Sequence, residues 1–375
     1  MQNRFASPLL LAVLALMGFG IVQVYSSSYF FASEVFNQNL FFFKKQLIFV
    51  AMGVLVLTAV SIVPMKWIYK LGWLLWFFAA GGVLLTFVPG MGVKVGGATR
   101  WLNLPFDLRF EPSEMLKFAF PVLIATLMMS QDHWLKRLSW HWILALILIP
   151  LVFLLKQPDF GSFAIITLVG FSLLFSFGLK WRWIFASLAI ALPAFYFLVM
   201  NVDYRRARIL AFLDPWADPS SKGFQVIQSL LSFHSGGFAG VGLGESQGKL
   251  FFLPEAHTDF TIAILGEELG FIGFLMIMLL YGFIVFRGFQ IAVKSEDPFN
   301  KTTALGITIT FACSVIVNVG VALGMLPTKG LTLPFLSYGG SSLLVLSLAF
   351  GILINIERNL FNWSTKMRDQ NISRI

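Results

Sequence analysis

Long apolar runs, each about 17 to 25 residues and without two-residue alternation, follow one another along the chain between short clusters of charge, glycine and proline. Runs of that length predict membrane-spanning helices and differ from the weak alternating signal of an outer-membrane barrel. The punctuation gives ten candidate spans, near residues 8–25, 46–63, 68–88, 113–129, 140–155, 161–178, 182–199, 258–287, 302–326 and 340–356. Pro150 predicts a kink in the fifth. The expected fold class is an all-α polytopic membrane protein of ten transmembrane helices, one domain over residues 1–375. A long, partly helical extracytoplasmic loop, residues 200–257, joins the seventh and eighth spans, and residues 357–375 form a tail.

Composition agrees, with 58% hydrophobic and only 12% charged residues, where a soluble domain has about 25% charged. Residues 1–28 have the basic start and apolar middle of a signal peptide. Nine further spans follow, so this run is expected to stay as the first helix. The net charge of +9 is scattered between apolar segments without a continuous patch, which points to the membrane surface and away from nucleic acid. Cys313 is the single cysteine, so no intramolecular disulfide forms.

An even number of spans puts both termini on one side, and lysine and arginine choose it. With the termini inside, the cytoplasmic segments hold Arg4, Lys66, Lys70, Lys136, Arg137, Lys180, Arg182, Arg287, Lys294, Lys301, Arg358, Lys366, Arg368 and Arg374. The short outer loops hold half as many: Lys44, Lys45, Lys94, Arg100, Arg109, Lys156 and Lys329. The termini are therefore expected in the cytoplasm, with the 200–257 loop outside. In that loop "YRRARILAFLDPW" and "GFQVIQSLLSF" show helical amphipathicity, with Phe224, Ile227 and Leu231 on one apolar side.

Several polar groups sit against this apolar background. In "LPEAHTDF", Glu255, His257 and Asp259 stand directly before the eighth span. Asp259 there is either a helix-capping carboxylate or a partly dry general base for a hydroxyl held at the membrane surface. Glu255 and His257 would then support it. Deeper in that span, Glu267 and Glu268 call for a cavity, a partner or a proton path. Arg100 and Trp101 form an interfacial pair in the outer loop before the fourth span, and Glu114 and Lys117 share a face of that span. "LPTKGLTLPFLSYGGSS", residues 326–342, cannot be regular helix; Lys329 is its one charge, and Ser341 and its neighbours offer anion-binding donors where the tenth span starts. The glycine-rich "SGGFAGVGLGES" lacks a phosphate-loop ending and reads as flexible loop. His133, His141, His234 and His257 have no metal-ligand spacing. An outward-facing basic site with one well-placed aspartate suits a lipid-linked phosphate or pyrophosphate and a reaction that needs a base.

In their order and spacing, "GATRW", "PSEMLK", "QPDFGS", "RRARILAFLDPWADPSSKGFQVIQSL", "GVGLGES", "LPEAHTDF", "GEELGFIG" and "LPTKGLTLPFLSYGGSS" resemble the SEDS family of peptidoglycan glycosyltransferases over nearly the whole chain. "TKGLTLPF" and "LPEAHTDF" look more like its division branch than its elongation branch. The resemblance implies polymerisation of lipid II at the outer face of the bacterial inner membrane, with release of undecaprenyl pyrophosphate. It makes Asp259 the base, and Arg100, Arg205, Arg206, Arg208 and Lys329 candidate clamps on the pyrophosphate. Trp101, Glu114, Lys117 and His257 become lining residues of the same site by motif position, with Glu255 and Ser341 as further substrate-binding candidates. A class B penicillin-binding protein and other divisome proteins are the implied partners. No cofactor is implied, and there is room for a divalent cation at the pyrophosphate. "FTIAILGEE" and "FHSGGFAG" depart from the usual family pattern. A lipid II flippase and a non-catalytic divisome scaffold are the competing readings.

Overall fold

The computed structural model describes residues 7–95, 98–105, 108–129, 139–183, 212–221, 223–328 and 330–372, with residues 185, 186, 189, 193 and 206. Its helices are α1 (Pro8–Phe36), α2 (Phe41–Ile62), α3 (Met65–Leu85), α4 (Pro112–Met129), α5 (Trp140–Lys156) and α6 (Phe160–Ser176). They continue as α7 (Phe224–Gly236), α8 (Thr261–Lys294), α9 (Pro298–Ala322) and α10 (Gly340–Ile372). The chain is a mostly helical polytopic membrane protein. Among the described residues six helices, α1, α2, α3, α8, α9 and the first part of α10, are long and apolar enough to cross a bilayer, and α5 and α6 are shorter apolar helices. The seventh candidate span, 182–199, lies largely outside the described residues.

Helix ends follow local chemistry. Ser7 caps α1 by accepting from the Leu10 amide at 3.3 Å, and Asp297 caps α9 through the Asn300 amide at 2.9 Å, with Pro298 in the first turn. α1 runs past its expected end near residue 25. Ser27 and Ser28 in "VYSSSYFF" turn their hydroxyls back onto the Gln23 and Val24 carbonyls at 2.8 and 2.6 Å, so a polar run stays helical in an apolar surrounding.

The centre of the bundle is α4, packed by α3, α6, α9 and α10. Its Leu116, Val122, Leu123 and Ala125 are fully buried, as are Trp76 of α3 and Phe311 of α9. The lipid-side faces carry exposed apolar residues instead, such as Leu55 on α2 and Leu279 on α8. The outer loop before α4 is a small antiparallel sheet, β1 (Gly92–Val95), β2 (Ala98–Leu104) and β3 (Leu108–Phe110), with Leu102 opposite Phe110. Strands this short leave little period-2 signal in the sequence, so the sheet is not anticipated by it.

α8 is broken inside the membrane region. Gly270 has φ 66° and ψ −165°, so the helix stops and restarts there. The orphaned backbone groups are satisfied by the glycine-rich segment read from sequence as flexible. The Val241 and Gly242 amides donate to the Glu267 and Glu268 carbonyls at 3.0 Å each. In return the Phe271 and Ile272 amides donate to the Gly237 and Phe238 carbonyls at 3.0 and 3.2 Å. A Cβ on Gly240 would lie 2.2 Å from the Glu268 carbonyl oxygen, so glycine is required for this approach. "SGGFAGVGLGES" is thus a fixed plug that completes a broken helix. α7 also differs from its expected face. Val226, Ile227, Ser229 and Ser232 are buried and the Ser229 hydroxyl donates to the Ala322 carbonyl at 2.6 Å, while Leu231 is 46% exposed. Small residues win the packed side because they let α7 lie close against α8 and α9.

Candidate functional site

The residues before α8 form a tight turn organised by Glu255. Its φ of 55° is left-handed, a costly setting for a side-chain-bearing residue. Its carbonyl accepts from the Thr258, Asp259 and Phe260 amides at 3.2, 3.1 and 3.3 Å, and its carboxylate accepts from the Thr258 hydroxyl at 2.8 Å. Glu255 therefore builds the turn from its exposed side. His257 points the other way, into an aromatic cage. It stacks on Phe31 at 5.2 Å and packs against Phe42 at 4.6 Å and Tyr338 at 6.1 Å. Its carbonyl accepts from the Tyr338 amide at 2.9 Å. Burial pushes the imidazole pKa down against the pull of Glu255, so the cage holds a neutral ring at pH 7.

Asp259 is half-buried at the head of α8. The N-cap position of that helix is Phe260, one residue further on, so Asp259 does not occupy the capping place. Its carbonyl accepts from the Asn318 side chain of α9 at 3.0 Å, and Asn318 also donates to the Leu331 carbonyl at 2.5 Å. One carboxylate oxygen lies 3.1 Å from where a Cβ on Gly330 would stand. The irregular segment between α9 and α10 thus lies directly against the acid.

The first turn of α10, just after that segment, meets a second group of charges at the start of α4. Lys117 and Glu114 pair at 2.7 Å, both buried, and the Ser342 hydroxyl donates to Glu114 at 3.2 Å. The Ser341 hydroxyl donates to the Arg109 carbonyl at 2.9 Å and accepts from the Glu111 amide at 3.2 Å. Both serine hydroxyls therefore bond within the protein. Arg100, on β2, donates to the Pro158 carbonyl at 2.6 Å. Asp159, next in the chain, is buried and caps α6 through the Ser162 amide at 3.2 Å. Burial alone would raise its pKa, but the Arg100 guanidinium and the Ser162 hydrogen bonds hold it below the usual carboxylate range.

Glu111, just before "PSEMLK", and Asp159, in "QPDFGS", are not singled out by sequence, because only the fold brings the two segments together. Glu111 is pushed up to about 8 by burial and by the charges of Glu114 and Asp159, against Lys117 and Arg100. A folded-state value above the ordinary 4.5 means that the native protein holds a proton the unfolded chain has lost. Its contribution to stability therefore falls as pH rises from 4.5 towards about 8. Asp159 changes only in acid and His257 below its ordinary 6.5, outside the upper part of that window. In detergent, the thermal midpoint of the protein is expected to drop between about pH 6.5 and about pH 8 and to level off above that, and Glu111→Gln to flatten the drop.

The two glutamates within α8 each have structural partners. Glu267 accepts from the Ser246 hydroxyl at 2.6 Å and from the Gln247 and Gly248 amides at 2.9 and 3.3 Å. Glu268 pairs with Lys249 at 2.8 Å, with side chains 0% and 2% exposed, and the Ser26 hydroxyl of α1 joins them at 2.5 Å from the carboxylate. Trp101 is half-buried on β2 opposite Val93, and Arg206 is exposed. Arg205, Arg208 and Lys329 lie outside the described residues. Among the described residues no group of three or more His, Cys, Asp or Glu is arranged to hold a metal ion.

The chain thus sets a half-buried carboxylate against the segment between α9 and α10, and the helix that follows that segment, α10, against a cluster of acidic and basic groups at the start of α4. Such a set can take a proton from a hydroxyl and oppose negative charge on a leaving group. Residues 7–362 match the family described as Cell cycle protein (FtsW, RodA, SpoVE). The chain is 42% identical over 370 residues to a probable peptidoglycan glycosyltransferase FtsW of Geobacter metallireducens, covering 96% of each. It is 43% identical over 359 residues to the protein of that name from Trichlorobacter lovleyi, covering 94% of this chain and 93% of that one. A chain solved in a study of a peptidoglycan synthase complex that coordinates polymerization and crosslinking has a TM-score of 0.74 at 27% identity, covering 94% of this chain and 98% of the other. The Thermus thermophilus rod shape determining protein RodA shares the fold, with a TM-score of 0.68 at 24% identity, covering 96% and 98%.

Proposed function

Since the chain belongs to the FtsW/RodA/SpoVE cell cycle family, we propose that it is a peptidoglycan glycosyltransferase that polymerises lipid II at the outer face of the cytoplasmic membrane, in septal wall synthesis. The observation that carries this reading is Asp259, a half-buried carboxylate outside the capping position, set against the segment between α9 and α10. As base, Asp259 accepts the proton of the acceptor sugar's 4-hydroxyl. The freed oxygen attacks C1 of the donor, the C1–O bond to the α-linked pyrophosphate breaks with inversion to a β-1,4 bond, and undecaprenyl pyrophosphate leaves. No covalent enzyme intermediate is needed. Arg100, Arg205, Arg206, Arg208 and Lys329 are the cations offered to the pyrophosphate, with Glu114 and Lys117 holding the wall of the site. Trp101, His257 and Glu255 shape its edges.

A class B penicillin-binding protein is the proposed partner, in keeping with the synthase complex from which a similar chain was solved. A flippase would need Glu267 and Glu268 as proton carriers, yet one holds the 246–248 backbone and the other a buried lysine. The deciding experiment supplies purified protein with lipid II in detergent, with and without the transpeptidase, and looks for glycan chains. Product in a single phase supports polymerisation. No product with the partner present, or activity only between two separated leaflets, overturns it.

A further inference from the structure

The geometry points to Asn318 and Gly330 as positioning residues that together set the place of the Asp259 carboxylate, an assignment that rests on reading Asp259 as the base. Asn318 lies in the last turns of α9 and is 2% exposed. Its amide nitrogen has two protons and uses them on two carbonyls, Asp259 at 3.0 Å and Leu331 at 2.5 Å. One side chain therefore ties the head of α8 to the segment that closes over it. Neither tied stretch has a ladder of its own, since residues 254–259 are turn and residues 330–333 are neither helix nor strand. Without the amide, both carbonyls would lose this donor at a place where water is scarce.

Gly330 acts on the other side of the acid. A Cβ there would lie 3.1 Å from Asp259 Oδ2 and 3.9 Å from Oδ1. That first contact is tighter than side chains normally make, so a methyl group requires the carboxylate or the segment to give by a few tenths of an ångström. Asn318 thus acts through the main chain of Asp259 and Gly330 through the space left for its side chain, and the two contacts are independent. Proton transfer requires the oxygen within hydrogen-bond reach of the acceptor hydroxyl. A misplacement of about 1 Å can cost about 100-fold in rate.

The test compares wild type with N318D, N318A, G330A and D259N in lipid II polymerisation, with kcat and KM normalised to folded protein and lipid II binding measured separately. N318D matches asparagine in shape but has no amide donor at neutral pH. It is expected to lower kcat by roughly 10- to 100-fold with KM within about 2-fold, and G330A to show the same split with its Asn318 bonds intact. A purely structural role would lower the folded fraction or the thermal midpoint and leave kcat per folded molecule unchanged. Wild-type kcat in a folded Asn318 variant, alongside inactive D259N, overturns the assignment, as does a loss confined to KM. If neither Asn318 variant folds, G330A decides, and wild-type kcat in it overturns the assignment. Normal turnover by D259N overturns the underlying reading of the base, which is a separate failure.

Discussion

Asp259→Asn is expected to yield a folded protein that binds lipid II and makes almost no glycan, with kcat reduced by at least about 100-fold, the lower range for loss of a general base. Main-chain groups of residue 259 help to hold the turn: its amide on the Glu255 carbonyl and its carbonyl under Asn318. An isosteric amide keeps both bonds, so the helix head and the packing of Phe260 stay in place. What changes is the ability to accept a proton. KM and lipid II affinity are expected to move little, because the carboxylate is assigned to proton removal and the proposed binding charges come from other residues. Steady-state polymerisation and a direct lipid II binding measurement on the same preparation check the split. Loss of binding in step with rate would make Asp259 a substrate contact; unchanged rate would remove it from the chemistry.

Apolar length alone made the spanning helices legible, because a bilayer demands continuous runs and leaves few ways to satisfy backbone groups. The features it hid are those in which polar or small residues are used against their usual meaning. The serines of "VYSSSYFF" look like a boundary and are helix interior, with the Ser27 and Ser28 hydroxyls folded back on the chain and Ser26 turned to Glu268. α7 buries Ser229 and Ser232 and exposes Leu231, since close approach of backbones outweighs side-chain apolarity where lipid is the alternative surrounding. The glycines at 236–244 look like slack and instead fit the break at Gly270. In the site, Asp259, Glu114 and Lys117 are legible because ionisable groups stand out beside apolar runs. Glu111, Asp159 and Asn318 are not, since their meaning comes from partners far along the chain.

Lys249 and Glu268 supply the other large expected effect, on stability. Both are buried, and Glu268 keeps one oxygen without a partner, so its charge depends on Lys249 and the Ser26 hydroxyl. Removing one member leaves an uncompensated charge in a dry site. K249M and E268Q are each expected to destabilise the protein by about 3–5 kcal/mol, while K249M/E268Q costs clearly less than their sum. Thermal or denaturant unfolding of the four proteins in one detergent measures that coupling. The same set separates two meanings of Glu268. As a latch, it holds the segment carrying Lys249 against α8, so E268Q loses activity only as folded protein is lost and the double variant recovers it. As a proton carrier it could not be rescued by removing Lys249, because the titrating carboxylate would still be missing. Recovery of polymerisation per folded molecule in K249M/E268Q therefore assigns the pair to holding the broken helix together, and persistent inactivity in a stably folded double variant assigns Glu268 to proton movement.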